Sequence, residues 1–207
     1  MRTNGFSLIE MAVVLFIVSL LIGHLLTPIS AQIDQRRYKQ TQKTLEEIKE
    51  ALLGFISIHG RLPYPASNQE TGIQDSSLHK KEGYLAWADL GIARVDAWGN
   101  PFRYRAEDEY TKEPLDYKKI FGIAGSGSGL RVTDKQDRYL TRSSGDSRVA
   151  AIIFSYGKNG VPDDDNGNRD KIFVYDVYVE NDFDDILTWL SRNTLVNRLY
   201  ATGRLPP

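Results

Sequence analysis

Hydrophobic and polar positions divide the chain into a uniformly apolar segment near the N-terminus, an amphipathic stretch, and a long region of short alternating runs. Every residue from Met11 to Gly23 is apolar or small except Ser19. The wider stretch 6–29 would form a helix of about 36 Å, longer than the hydrocarbon core of a membrane at about 30 Å. The pattern therefore predicts either a membrane-spanning helix or the hydrophobic part of a signal peptide cleaved after Ala31.

The stretch 30–60 has the periodicity of an amphipathic helix. Apolar or small side chains recur every three or four residues, and charged residues occupy the other faces. This stripe consists of Thr41, Leu45, Ile48, Leu52 and Phe55. Gly60 and Pro63 are typical of a helix end. We therefore expect the apolar segment to continue into an amphipathic helix that packs one stripe against a globular domain.

The remaining part, 61–207, is rich in turn residues and in short runs of aromatic and β-branched residues. It contains predicted strands at 102–105, 119–124, 149–156 and 171–179. Because no helical pattern separates these runs, they favour an antiparallel sheet. Ser191 is a predicted N-cap of a short closing helix through Thr202, with Gly203 as its stop. The predicted fold class is α+β: a long N-terminal helix packed on an antiparallel sheet, with a short C-terminal helix.

Composition narrows the classes of function. The chain has 207 residues, 26 Lys plus Arg against 27 Asp plus Glu, and no cysteine. The absence of cysteine excludes disulfides, thiol nucleophiles and Cys-ligated metals. The balanced charge argues against a general nucleic-acid binder, which needs a basic excess to neutralise phosphates. No nucleic-acid partner is expected.

Glu10 is the exceptional residue of the apolar segment. An ionisable group at the start of a membrane helix is unfavourable unless a partner neutralises it, so such groups are candidates for function. Cleavage of the chain between Gly5 and Phe6 would create an α-ammonium group four residues before Glu10. That distance is one helical turn, on the same face of the helix. Proteolysis at this position would therefore supply the missing positive charge.

The run from Gly5 to Met11, Gly-Phe-Ser-Leu-Ile-Glu-Met, follows a short polar leader and resembles the processing site of type IV prepilins and type II secretion pseudopilins. The resemblance implies that a membrane-embedded prepilin peptidase cuts after Gly5 and N-methylates Phe6. It also implies that Glu10 neutralises the N-terminus of a neighbouring subunit during assembly. The turn at 96–101 is similar to a segment that precedes the sheet in major pseudopilins.

The same resemblance implies a domain organisation, a location and a set of partners. Residues 1–5 would be the leader, 6–29 the transmembrane and assembly helix, 30–60 its amphipathic continuation, and 61–207 a periplasmic α+β domain. The protein would span the inner membrane once and then enter a filament. Its partners would be the peptidase, other pilin or pseudopilin subunits and an inner-membrane assembly platform. The expected role is structural and not enzymatic, and the size of the soluble region favours a minor or accessory subunit.

A second candidate site lies in the acidic stretch 163–185, which holds nine acidic residues against Arg169 and Lys171. Ca²⁺ takes six to eight oxygen ligands, and clustered carboxylates repel one another unless they are solvated or neutralised. Major pseudopilins carry a structural calcium between late strands, so the resemblance adds to the case for calcium. The candidate ligands are Asp163, Asp165, Asn168 and Asp170. The EF-hand spacing is not met, and a solvated acidic loop is the alternative.

Two further classes of function remain open from the sequence. The first is a secreted or periplasmic calcium-binding module whose signal peptide is removed. The second is a membrane-anchored enzyme with a site built from acidic residues, namely Asp163, Asp165, Asp182, Asp184 and Asp185. The N-terminal residue of the mature protein distinguishes the signal-peptide hypothesis from the pilin-like one.

Overall fold

The computed structural model describes residues 7–78, 82–113, 129–142, 145, 147–168, 170–179 and 182–204, without the side chains of 22–29 and 165. The predicted strand at 119–124 lies outside these residues. The chain divides into two compact units, 1–39 and 40–207. Helix α1 (Leu8–His59) contributes its first part to one unit and the rest to the other.

The first unit is helical from Leu8, and its helix begins with a capping box. The backbone N–H of Glu10 donates to Ser7 Oγ over 3.2 Å, and the backbone N–H of Ser7 donates to Glu10 Oε2 over 3.1 Å. This reciprocal pair provides acceptors for two of the backbone N–H groups that have no partner within the helix at its N-terminus. Within the described part of the chain, no helix combines the length and the hydropathy that crossing a membrane requires.

The part of α1 that belongs to the second unit buries the predicted stripe. Leu45, Ile48 and Leu52 are almost fully inaccessible to solvent, and Thr41 and Phe55 are also buried. The helix ends at His59, and the next residue is a glycine with φ of +71°. The amphipathic periodicity therefore predicted the buried face, and Gly60 predicted the end of this helix.

The main sheet of the second unit has four antiparallel strands in the order β1-β2-β4-β6. The strands are β1 (Gly83–Tyr84), β2 (Arg103–Ala106), β4 (Val149–Ser155) and β6 (Ile186–Ser191). Short helices α2 (Trp87–Leu90) and α3 (Asp108–Thr111) lie in the connections on either side of β2. The antiparallel sheet predicted from the sequence is confirmed.

A second, two-stranded sheet pairs β3 (Arg131–Thr133) with β5 (Ile172–Val174) in parallel. It packs on the main sheet, because Val132 and Phe173 share one hydrophobic cluster with Ile152 and Phe154 of β4. The sequence pattern did not predict a parallel pair. The predicted strand 171–179 is too long, since its partner β3 ends at Thr133 before a turn.

The closing helix α4 (Arg192–Ala201) agrees with its prediction. Ser191 is its N-cap and accepts a hydrogen bond from the backbone N–H of Thr194, while Gly203 follows the helix with φ of +67°. Arg198 of α4 forms an ion pair of 2.7 Å with Glu50 of α1. The C-terminal helix is thereby attached to the amphipathic part of α1.

Candidate functional site

The first candidate site is the N-terminal end of α1. Gly5 and Phe6, the predicted cleavage pair, lie outside the described residues. Glu10 is exposed, and its carboxylate is held at the start of its own helix by the backbone N–H of Ser7. A carboxylate in this position is stabilised by the positive end of the helix dipole. In the sequence, Glu10 follows by four residues the position where cleavage would leave an α-amino group.

The second candidate site is a group of three carboxylates, Asp163, Asp184 and Asp185. One oxygen atom from each lies within 4.8 Å of the others. Asp163 directly precedes a 3₁₀ turn (Asp164–Gly167), while Asp184 and Asp185 directly precede strand β6. The fold therefore brings together two segments about twenty residues apart, and we call these three residues the carboxylate cluster.

Backbone hydrogen bonds fix the geometry of the carboxylate cluster. Asp163 Oδ2 accepts from the backbone N–H of Asp184 at 2.6 Å and from that of Asp185 at 3.3 Å. In return, the backbone N–H of Asp163 donates to Asp185 Oδ2 at 2.9 Å. The backbone N–H of Asn159 donates to Asp184 Oδ2 at 2.8 Å. Each acid thus uses one oxygen to hold the two segments together.

Two carboxylate oxygens of the cluster have no hydrogen-bond partner among the described residues. Asp184 and Asp185 are only 6% and 4% exposed, and Oδ1 of each is buried without a hydrogen-bond partner among the described residues. A buried acceptor without a partner costs free energy, and a buried charge costs more. Two buried carboxylate oxygens without hydrogen-bond partners, close together in the cluster, are what we expect at a cation-binding site.

The pKa values of Asp184 and Asp185 also indicate that negative charge is unfavourable at this site. The pKa of Asp185 is raised to about 7, mainly by burial and in addition by the negative charges of Asp163 and Asp184. Burial is also the main cause of the raised pKa of Asp184. Both shifts mean that ionised carboxylates are unfavourable here without a positive partner. Oxygen donors of this kind fit a hard cation such as Ca²⁺.

Gly157 allows the backbone to approach the cluster closely. Its φ is +56°, and a Cβ atom at this position would clash with the backbone carbonyl and the carboxyl carbon of Asp184. The carbonyl oxygen of Gly157 accepts a hydrogen bond of 2.6 Å from Asn100 Nδ2. The turn after β4 is therefore in close contact with Asp184 and hydrogen-bonded to Asn100 of the turn at 96–101.

The calcium ligands predicted from the sequence coincide only in part with the carboxylate cluster. Asp163 belongs to it, whereas Asp170 lies outside it and is hydrogen-bonded to Asn168 on the surface. The side chain of Asp165 is outside the described residues. The sequence indicates Asp184 and Asp185 only as candidates for an enzymatic site. Their position immediately before an apolar run that forms β6 was the available signal for a site at a strand end.

Two comparisons with known proteins are informative. Residues 1–23 match the family described as the prokaryotic N-terminal methylation motif. The chain is also 29% identical over 136 residues to the type II secretion system core protein G of Pseudomonas aeruginosa, across 62% of this chain and 89% of that protein. No solved structure matches the chain significantly. The N-terminal motif and this similarity agree with the resemblance of the sequence to type IV prepilins and type II secretion pseudopilins.

Proposed function

We propose that this chain is a structural subunit of a type II secretion pseudopilus or a type IV pilus, made as a precursor and assembled through its N-terminal helix. The observation that carries the proposal is the methylation motif over residues 1–23, with Glu10 as the acid within it. The similarity to a type II secretion core protein supports the secretion pseudopilus. In the proposed filament, the apolar N-terminal segment packs among other subunits and the sheet domain forms the exterior.

The proposed location is the inner membrane, with the C-terminal domain in the periplasm, followed by the filament. The first part of α1 supports this location because its apolar side chains are exposed, with Leu8 at 89% and Phe16 at 65%. A continuous apolar surface of this kind is unfavourable in water, so lipid or neighbouring subunits must cover it. The proposed partners are therefore other pilin-like subunits and the assembly platform.

Processing and assembly are linked through Glu10. Prepilin peptidase would cut after Gly5 and methylate the amino group of Phe6. The Glu10 carboxylate would then neutralise the N-terminus of a neighbouring subunit, because an unpaired charge in an apolar environment is strongly unfavourable. The pairing would fix the axial position of one subunit relative to the next. This role is structural and requires no catalytic group.

We further propose that the carboxylate cluster holds a divalent cation, with Ca²⁺ as the first candidate. Asp163, Asp184 and Asp185 would be its side-chain ligands, and the buried free oxygens support this assignment. The cation would supply the positive charge that three converging carboxylates need. It would thereby stabilise the connection between the loop after β4 and the start of β6.

The assembly claim is tested with two substitutions of the same residue. Glu10→Leu removes the charge and the capping box, whereas Glu10→Gln removes the charge but can retain the box, since glutamine also serves at this position. We expect both variants to be processed but not assembled when they replace the wild-type subunit. Glu47→Gln, an exposed position of α1 outside the motif, is the control and should assemble normally. Normal filaments from Glu10→Gln would contradict the proposed neutralisation.

A further inference from the structure

We infer that Asn166 is a positioning residue that couples cation binding at the carboxylate cluster to strand β5. The inference rests on the proposed cation and concerns a residue that no comparison assigns. Asn166 lies in the 3₁₀ turn after Asp163 and is only 1% exposed, in a loop that is otherwise largely open to solvent. A buried amide in such a loop requires partners for its polar atoms, because unpaired buried polar groups are costly.

The side chain of Asn166 joins the cluster to the backbone of β5. Its Nδ2 donates to Asp185 Oδ2 at 2.9 Å and to the carbonyl oxygen of Val174 at 3.0 Å. Its Oδ1 accepts from the backbone N–H of Val174 at 2.8 Å. The amide therefore binds both backbone groups of Val174, as a neighbouring strand would, and uses its remaining hydrogen for the cluster.

Strand β5 depends on hydrogen bonds and packing from outside its own small sheet. It is three residues long and pairs only with β3, which is equally short, among the strands described. A two-stranded sheet of this size is marginal without packing or additional hydrogen bonds. Phe173 packs into the hydrophobic cluster on the main sheet, and the Asn166 amide occupies the edge at Val174. Movement of Asn166 would therefore release one edge of β5.

The direction of the coupling follows from the charges. Without a cation, the carboxylates of Asp163, Asp184 and Asp185 repel one another, which favours displacement of the Asp185 side chain. Displacement of Asp185 withdraws the acceptor of Asn166 Nδ2 and loosens the bonds of Asn166 to Val174. A bound cation removes the repulsion and holds Asp185 in place. Cation binding should thus protect the backbone of β5, which contributes no proposed ligand.

The test is hydrogen exchange of the full chain in detergent micelles, with Ca²⁺ alone as the probe and with chelator as reference. Ca²⁺ should slow exchange of the Val174 amide by about tenfold or more, since local opening limits exchange at such sites. In Asn166→Ala, this response should disappear, and Ca²⁺ affinity should fall by about tenfold, as is usual when a residue behind a metal ligand is removed. Asn168→Ala, an exposed asparagine of the same loop, should behave as wild type.

Three results would overturn the inference, and they are distinguishable. Absence of calorimetric Ca²⁺ binding to the wild type would remove the cation proposal and the coupling with it. Binding without slower exchange at Val174 would remove the coupling alone. An Asn166→Ala variant whose Val174 amide still responds fully to Ca²⁺ would show that another contact carries the effect. The comparison of Val174 exchange in the wild type with Ca²⁺ and with chelator needs no variant. The inference therefore remains testable even if Asn166→Ala folds poorly.

Discussion

At the scale of single residues, Asp96 shows how one buried carboxylate organises a turn. Its Oδ1 accepts from the backbone N–H groups of Trp98 and Asn100, both at 2.8 Å. Its Oδ2 accepts from Ser155 Oγ at the end of β4. Two of these donors close the turn itself, and the third connects it to the main sheet. The turn was predictable from its Asp, Gly, Asn and Pro residues, whereas the link to Ser155 was not, because it joins distant parts of the chain.

Replacement of Asp96 should therefore destabilise the protein. Asp96→Ala leaves three hydrogen-bond donors without their acceptor, and we expect a loss of about 2 kcal/mol or more in the free energy of unfolding. Urea unfolding of the purified chain measures the change. Asp89→Ala is the acidic control and should change stability less, because this exposed carboxylate accepts one hydrogen bond, from the backbone N–H of Gln74. A loss for Asp96→Ala no larger than that of the control would contradict the assigned role.

The N-cap of α4 gives a second prediction at this scale. Ser191 Oγ accepts from the backbone N–H of Thr194 at 3.2 Å. Ser191→Ala should lower the free energy of unfolding by about 1 kcal/mol, the usual cost of losing such a cap. Asn197→Ala, at an exposed position of the same helix, is the control and should have little effect. Equal stability of the Ser191→Ala variant and the wild type would show that the cap is unimportant.

At the scale of elements, those specified by local sequence could be predicted, whereas those that depend on contacts between distant residues could not. The stripe of α1 follows from periodicity, strand β4 from a continuous and largely apolar run, and the closing helix from its capping residues. All three are local properties of the sequence. The two-residue β1 and the three-residue β3 are too short to give a periodic pattern. Their pairing is decided by tertiary contacts, which also determine that Asp184 and Asp185 meet Asp163. Sequence analysis therefore predicted a calcium site in this acidic region but did not include Asp184 and Asp185 among its candidate ligands.

The packing of α1 on the sheet domain is testable at its buried stripe. Leu52 is fully buried on the face of α1 that belongs to the second unit. Leu52→Ala should lower the free energy of unfolding by about 2–5 kcal/mol through lost burial and the cavity left behind. Glu47→Ala on an exposed face should cost much less. Comparable unfolding curves for these two variants would contradict the assignment of the buried face.

At the scale of the whole molecule, the proposed cation links local electrostatics to global stability. A ligand that binds only the folded state stabilises it by about 2.7 kcal/mol at a hundred times its Kd. Ca²⁺ should therefore raise the melting temperature of the wild-type chain, and chelator should lower it. Asp185→Asn should remove this Ca²⁺ response and stabilise the metal-free protein, because it removes one of three converging negative charges.

Asp170→Asn is the matched control for this prediction. Asp170 is an exposed acid of the same region that lies outside the carboxylate cluster. The variant should retain the full Ca²⁺ response of the melting temperature. Loss of the response in Asp170→Asn but not in Asp185→Asn would transfer the ligand role to the residues predicted from the sequence.

The central claim is that this chain is a precursor whose N-terminal processing creates the charged terminus needed for assembly. Mass spectrometry of the N-terminal peptide, from cells with and without prepilin peptidase, tests it most directly. We expect N-methylated Phe6 as the first residue when the peptidase is present, and an uncleaved leader that retains Gly5 when it is absent. A mature protein that begins at Gln32 in both kinds of cell would identify a signal peptide and contradict the account.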